Sequence, residues 1–208
     1  ARRYAAMVTM IDRQLGDLRA LLKELGLSEN TLIMFSGDNG GADYFASKEL
    51  PRGIHGANVN PETGVEYRGK KGQLYEGSLR IPFAACWPGR IEPGTTSDLL
   101  CYFPDILPTT ADLPGTPLPA GIDGLSILPT LLGKPDDQKQ HDYLYWEIGS
   151  WAAIRQGDWR AVRPKENAPW ELYDLASDPS ESKNLAAEQP EVLAKLTALA
   201  EAAHEPAV

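Results

Sequence analysis

The chain has 208 residues, 42% of them hydrophobic and 24% charged, with a formal net charge of −9. That length and apolar share suffice for one folded domain or one and a half, and the acidic balance argues against nucleic acid as a general partner. The two cysteines, Cys86 and Cys101, make neither a disulfide framework nor a Cys/His metal spacing, and no apolar run reaches the roughly 18 residues of a membrane span.

In chain order, Tyr4, Met7, Ile11, Leu15, Leu18, Leu22 and Leu25 recur at threes and fours and predict one amphipathic helix. Gly26 is placed as its stop. The chain opens with Ala inside this pattern, so its start reads as a cut edge. The run Thr31-Leu32-Ile33-Met34-Phe35 predicts a buried parallel strand, as in an αβ unit. Residues 38–78 hold ten glycines or prolines and read as a long loop, of a length uncommon unless functional. Residues 80–87 predict the next strand, mostly apolar and therefore central.

Further on, residues 105–113 predict a short helix weakened by Pro108, and a Pro/Gly-rich run over 114–124 leads to the apolar segment 125–132. The polar linker 133–140 marks a subdomain boundary. Beyond it, 143–148, 151–154, 159–163 and 171–175 predict short strands, with Gln156-Gly157-Asp158 as the turn between the middle two. Pro190 opens a closing helix over 190–203, apolar at Val192, Leu193, Leu196, Leu199 and Ala203. Trp146, Trp151 and Trp159 read first as core of this small sheet, with a binding wall as the other reading.

The most informative stretch is Ser36-Gly37-Asp38-Asn39-Gly40-Gly41, directly after the apolar run. It sets a carboxylate and an amide at the carboxyl end of a strand, where open α/β sheets bind ligands. An Asp-Asn pair offers oxygen donors alone, which suits Ca²⁺ or Mg²⁺ rather than zinc. The same letters also make an ordinary turn, since Asn and Gly tolerate positive φ. Between Arg52 and Arg90 six basic residues face three acidic ones, a local cationic excess in an acidic chain that would attract a small anion.

Some thirty residues past the Asp-Asn pair, Tyr67-Arg68-Gly69-Lys70-Lys71-Gly72-Gln73-Leu74-Tyr75-Glu76-Gly77-Ser78-Leu79-Arg80-Ile81-Pro82-Phe83 leads into Trp87-Pro88-Gly89-Arg90-Ile91. Together with Ser36 to Gly41, these motifs resemble the sulfatase family of the alkaline-phosphatase superfamily. Glu171-Leu172-Tyr173-Asp174-Leu175, with Asp178-Pro179, Glu181 and Asn184-Leu185, is similar to that family's C-terminal subdomain signature. The resemblance covers nearly the whole chain and is to the C-terminal part of a sulfatase.

The resemblance implies an α/β fold. Residues 1–135 would be the C-terminal part of the catalytic domain, at the edge of an alkaline-phosphatase-like mixed sheet with flanking helices. Residues 136–208 would be a small antiparallel-sheet subdomain with a terminal helix. Asp38 and Asn39 would be two ligands of a Ca²⁺, with Mg²⁺ as the alternative. Lys71, at the lysine of the family's Lys-Gly-x-x-Tyr-Glu-Gly pattern, would contact sulfate and help the leaving group. Lys70, His55 and Arg80 are further substrate-binding candidates, His55 because imidazole titrates near working pH. Arg80 is equally placed to pair with Glu76.

The family's formylglycine nucleophile and first metal carboxylates would lie in an N-terminal half outside this chain, which is thereby an expected partner alongside a sulfate ester. A periplasmic or secreted location is implied. Cys86-Trp87-Pro88-Gly89-Arg90 fits the Cys-x-Pro-x-Arg core of a formylglycine site literally. It falls instead where sulfatases run a strand into Trp-Pro-Gly, and Pro93-Gly94 opens a helix poorly, so the match reads as coincidence. The competing readings are a phosphatase or phosphodiesterase of the same superfamily, a non-catalytic module binding sulfated glycans, and a structural module with no ligand.

Overall fold

A computed structural model of the chain describes residues 2–44, 46–51, 53 and 58–205. Two compact units emerge, interleaved along the sequence: one holds Ala6–Ser36 and Phe83–His141, the other Ala1–Ala5, Gly37–Pro82 and Asp142–Val208.

Helix α1 (Arg2–Glu24) follows the predicted periodicity. It ends in a Schellman motif: Leu27 N–H donates to Leu22 O at 2.8 Å and Gly26 N–H to Lys23 O at 3.1 Å, with Gly26 at φ 68°. None of its residues is buried, and Met7 and Leu25 of the apolar stripe are each 59% exposed. The stripe is present, but nothing among the described residues encloses it.

Strand β1 (Ile33–Ser36) and strand β4 (Phe83–Cys86) form a two-stranded antiparallel ladder, from Ile33 opposite Cys86 to Ser36 opposite Phe83. The parallel pairing expected of the first apolar run is therefore corrected. Apolarity marks a strand for packing but says nothing of its neighbour's direction, and the long connection after β1 lets the chain return antiparallel. Nor are these strands deeply buried, since Phe35 is 41% and Phe83 37% exposed. The same unit carries the short helices α3 (Ile106–Asp112) and α4 (Leu128–Leu131).

In the other unit, the long loop is less bare than expected. It contains the hairpin β2 (Asn58–Val59) with β3 (Glu66–Tyr67) and the one-turn helix α2 (Glu76–Leu79). A four-stranded antiparallel meander follows, β5 (Leu144–Ile148), β6 (Trp151–Gln156), β7 (Trp159–Arg163) and β8 (Glu171–Asp174), with helix α5 (Pro190–Ala203) at the end. Gly157, at φ 58°, makes the tight turn between β6 and β7.

Strand alternation gives this sheet two working faces. Ile154, Ala161 and Leu172 meet Leu196 and Ala200 of α5 in one core cluster. Ala153, Val162 and Tyr173, on the opposite face, pack with Leu74, Tyr75 and Leu175, with Trp146 and Trp151 at the margin. The second face thereby anchors the segment around Lys70 and Lys71. The chain is mixed α/β with a four-stranded antiparallel sheet and a terminal helix.

Candidate active site

Asp38 and Asn39 follow β1 by two and three residues, as a turn at the strand's carboxyl end. Asp38 Oδ1 accepts the Asn39 N–H at 3.0 Å, and Asn39 Nδ2 donates to Gly40 O at 2.9 Å. These two bonds leave Asp38 Oδ2 and Asn39 Oδ1 with no donor from a described residue. Asp38 is exposed and Asn39 half-buried. Two such oxygens fit a hard cation in chemistry, though they are only part of the roughly six to eight that calcium takes. Among the described residues no group of three or more His, Cys, Asp or Glu side chains could complete the set.

The Lys71 loop is stitched to this turn through backbone. Lys71 N–H donates to Gly41 O at 3.0 Å and Gly40 N–H to Ser78 O at 2.8 Å. Asn58 joins the same strands of chain: its Oδ1 accepts the Gly41 N–H at 3.1 Å, and its Nδ2 donates to Gly77 O at 2.7 Å and Gly69 O at 3.3 Å. Ser78 Oγ donates to Lys70 O at 2.7 Å. The backbones pass so closely that a Cβ on Gly40 would stand 1.9 Å from Gly77 O. The glycines after Asp38-Asn39 and Glu76 are thus required by space.

The two lysines differ. Lys70 Nζ pairs with Asp43 Oδ2 at 2.5 Å, whereas Lys71 is exposed and its ammonium has no partner among the described residues. Beside Lys70 opens a cavity of about 470 Å³, lined in part by Asp43, Asn58, Arg68, Gln73, Tyr75 and Trp151.

A polar platform on the sheet carries this loop. Arg68 donates to the Tyr173 hydroxyl at 2.6 Å and the Tyr75 hydroxyl at 3.0 Å, and both phenols donate to Glu171 Oε2, at 2.6 and 2.7 Å. Burial and the Glu171 carboxylate push both phenols well above their usual pKa. Beneath them Glu76 is almost wholly buried and meets Arg160 at 2.7 Å, Arg80 at 2.6 Å and Arg155 at 3.8 Å. Burial opposes its charge, but the three guanidinium groups outweigh it and hold its carboxyl below the usual range.

Glu181, fully buried at φ 52°, accepts the Glu76 N–H at 2.7 Å and lies 3.5 Å from Arg160. Burial raises its carboxyl to about 7, against the pull of Arg160. The neighbours in its motif hold the loop in shape: Asp178 Oδ2 accepts the N–H groups of Ser182 and Lys183, and Asn184 Oδ1 those of Leu172 and Ala186.

The structure thus sets the Asp38-Asn39 turn and the Lys70-Lys71 loop on adjoining backbone. Arg80 points to Glu76, with its guanidinium 5.1 Å from the Tyr67 ring centre. His55 lies outside the described residues, as does Arg52 of the cationic stretch. Cys86 is the last residue of β4, and the following Trp87 donates its indole N–H to Glu29 O at 2.9 Å in a turn, not a helix. His141, just past the polar linker, is largely buried against Asp105, at 2.8 Å. Asn58 carried no sequence signal: it sits in a Pro/Gly-rich stretch, and its partners lie 11 to 19 residues away.

Two family models match the chain: Sulfatase over residues 1–116, and N-sulphoglucosamine sulphohydrolase, C-terminal, over residues 67–204. The chain belongs to the sulfatase family, of the alkaline-phosphatase superfamily, and corresponds to its C-terminal portion. It is 33% identical to an N-acetylgalactosamine-6-O-sulfatase of Bacteroides thetaiotaomicron, over 94% of this chain and 40% of that protein. To human arylsulfatase A it is 34% identical, over 91% of this chain and 41% of that protein. A solved structure of a Bacteroides thetaiotaomicron protein of glycosaminoglycan metabolism superposes with a TM-score of 0.72 at 28% identity, covering 93% of this chain and 42% of its own. The chain spans about 40% of the length of the curated relatives it matches. No helix among the described residues is long and apolar enough to cross a membrane.

Proposed function

We propose that these residues form the C-terminal part of a calcium-dependent sulfatase that hydrolyses sulfate monoesters, with sulfated amino sugars as the substrate class to examine first. Residues 1–135 would belong to its catalytic domain and 136–208 to its subdomain. Asp38 and Asn39 would hold the cation, with Mg²⁺ as the alternative occupant. When bound, a hard divalent ion supplies the charge that grips sulfate oxygens and polarises the ester. The Lys71 ammonium binds a sulfate oxygen and stabilises the departing alkoxide, by charge or by giving up a proton. The remaining ligands and the formylglycine nucleophile would come from a segment preceding these residues.

One observation carries the reading. The Lys71 loop is hydrogen-bonded along the Asp38-Asn39 turn, Lys71 is unpartnered among the described residues, and its rival Lys70 is occupied by Asp43. The relatives' names supply the amino-sugar class. The exposed apolar stripe of α1 also agrees with further protein packing there.

The test compares matched sulfate and phosphate esters, including 6-sulfated N-acetylgalactosamine, on the full-length protein with and without calcium. Sulfate-selective, calcium-dependent turnover supports the reading. Phosphate-selective turnover would move the protein to the phosphatase branch. Tight binding of sulfated glycans without turnover would make it a binding module.

A further inference from the structure

We propose that Asn58 is the positioning residue that keeps the Asp38-Asn39 turn in register with the Lys71 loop; the inference rests on the sulfatase reading above. The Asn58 carboxamide touches all three backbone strands meeting there. Its single acceptor takes the Gly41 N–H, and its two N–H bonds go to Gly77 O and Gly69 O. This use of both ends fixes which way the amide faces, because the partners are one donor and two acceptors.

Gly41 follows the two proposed ligands, Gly69 precedes the two lysines, and Gly77 follows Glu76, itself fixed by Glu181 and Arg160. The carboxamide therefore links metal turn, sulfate-binding loop and sheet platform through one rigid group. The glycines that it ties are themselves closely packed. A Cβ at Gly41 would lie 2.7 Å from Asn58 Oδ1, and one at Gly69 would meet Ser78 Oγ at 2.7 Å and Tyr75 Cβ at 2.8 Å.

Aspartate in its place would turn a lone pair toward two carbonyl oxygens, and glutamine would be one methylene too long for the gap. Groups that orient ligands without touching the reacting atoms cost about 10–100-fold in metal affinity or activity when removed. Asn58 belongs with them, as a residue that acts through the loops it ties.

The experiment uses the full-length protein and Asn58→Ala, Asn58→Asp and Asn184→Ala. Asn184 is a matched control, a buttressing amide of the Glu181 segment that accepts the backbone N–H groups of Leu172 and Ala186 and makes no bond to the Lys71 loop among the described residues. Four quantities are read: Tm without calcium, the calcium concentration giving half the calcium-induced rise in Tm, and kcat and KM on a sulfate ester. Both Asn58 variants are expected to lose about 10–100-fold in kcat and to need about 10-fold more calcium. Asn184→Ala should lower Tm yet keep kcat and the calcium midpoint within about twofold.

If the Asn58 variants keep both quantities while the wild type is active, the inference fails and the sulfatase reading survives. If Asn184→Ala loses kcat and calcium midpoint in parallel, the effect is general destabilisation and the inference also fails. A wild type with neither turnover nor calcium response removes the sulfatase reading and this inference together. Should Asn58→Ala not fold, the near-isosteric Asn58→Asp decides the matter on the same readouts.

Discussion

Arg160 Nη1 lies 2.7 Å from Glu76 Oε2, with neither side chain more than 3% exposed. The guanidinium Nε and Nη1 make no directed hydrogen bond, so charge rather than bond geometry holds the pair. Such pairs add little over an apolar replacement of both partners, but losing one strands the other in a low-dielectric interior. Arg160→Met would leave Glu181 without its nearest cation and Glu76 with Arg80 and the longer Arg155 contact. Urea unfolding should show a loss of about 3–5 kcal/mol, part of which returns in the double variant with Glu76→Gln. A loss below about 1 kcal/mol would mean that the sheet holds the Glu76 segment by packing alone.

Glu181 makes stability fall with pH in a defined window. Its folded pKa is about 7 against an ordinary value of 4.5, so between those points the folded state binds the extra proton. Stability is then full below about pH 4.5 and declines as pH rises toward 7. Glu76, held below its ordinary value, acts below that window and in the opposite sense. Glu181→Gln keeps an acceptor for the Glu76 N–H but cannot ionise. Thermal melts from pH 5 to pH 8 should therefore show a shallower decline in the variant than in the wild type. Parallel curves would show that Glu181 does not titrate in this range.

Much of this fold was legible because its local rules agree. The threes-and-fours of α1, the Gly26 stop, the Gln156-Gly157-Asp158 turn and the Pro190 start of α5 each lie within a few residues of the feature they cause. Asp38 and Asn39 were readable as a strand-end turn for the same reason. Strand direction was not, because Ile33 to Ser36 pairs with residues some fifty positions away and an apolar run has no polarity. The buried charges were equally hidden: Glu76, Arg160 and Glu181 are polar letters in segments far apart, and composition assigns such letters to the surface. Asn58 escaped notice because its role is written only in the positions of three glycines.

Two glycines offer opposite outcomes for the same substitution. Gly40→Ala would drive a methyl into Gly77 O and the Ser78 Cα, at 1.9 and 2.8 Å, and neither backbone can retreat without disturbing the Asn58 ties. A loss of about 1–3 kcal/mol is expected, with a fall in turnover, since the strain lands beside Asp38 and Asn39. Gly16→Ala lies inside α1 with nothing within 4 Å, so the added methyl meets open space and lowers the cost of helix formation. It should stabilise by about 0.5–1 kcal/mol. Equal effects from the two would refute the close passage at Gly40.

The lysine pair separates by which kinetic constant moves. Lys71 has no described partner, so Lys71→Ala removes a charge without breaking a structural contact, and Tm should hardly change. If its ammonium serves the departing oxygen, the loss falls on kcat, by about 100–1000-fold, as for removal of one oxyanion donor. Lys71→Arg keeps the charge but not the transferable proton, so partial rescue would point to charge, and none to proton transfer. Lys70→Ala breaks a half-exposed pair with Asp43, worth about 0.2–1 kcal/mol of stability. Its effect on catalysis should appear mainly in KM, through the cavity that it lines. The reverse pattern, with kcat lost at Lys70 and KM raised at Lys71, would exchange their roles and require Asp43 to release Lys70 when substrate binds.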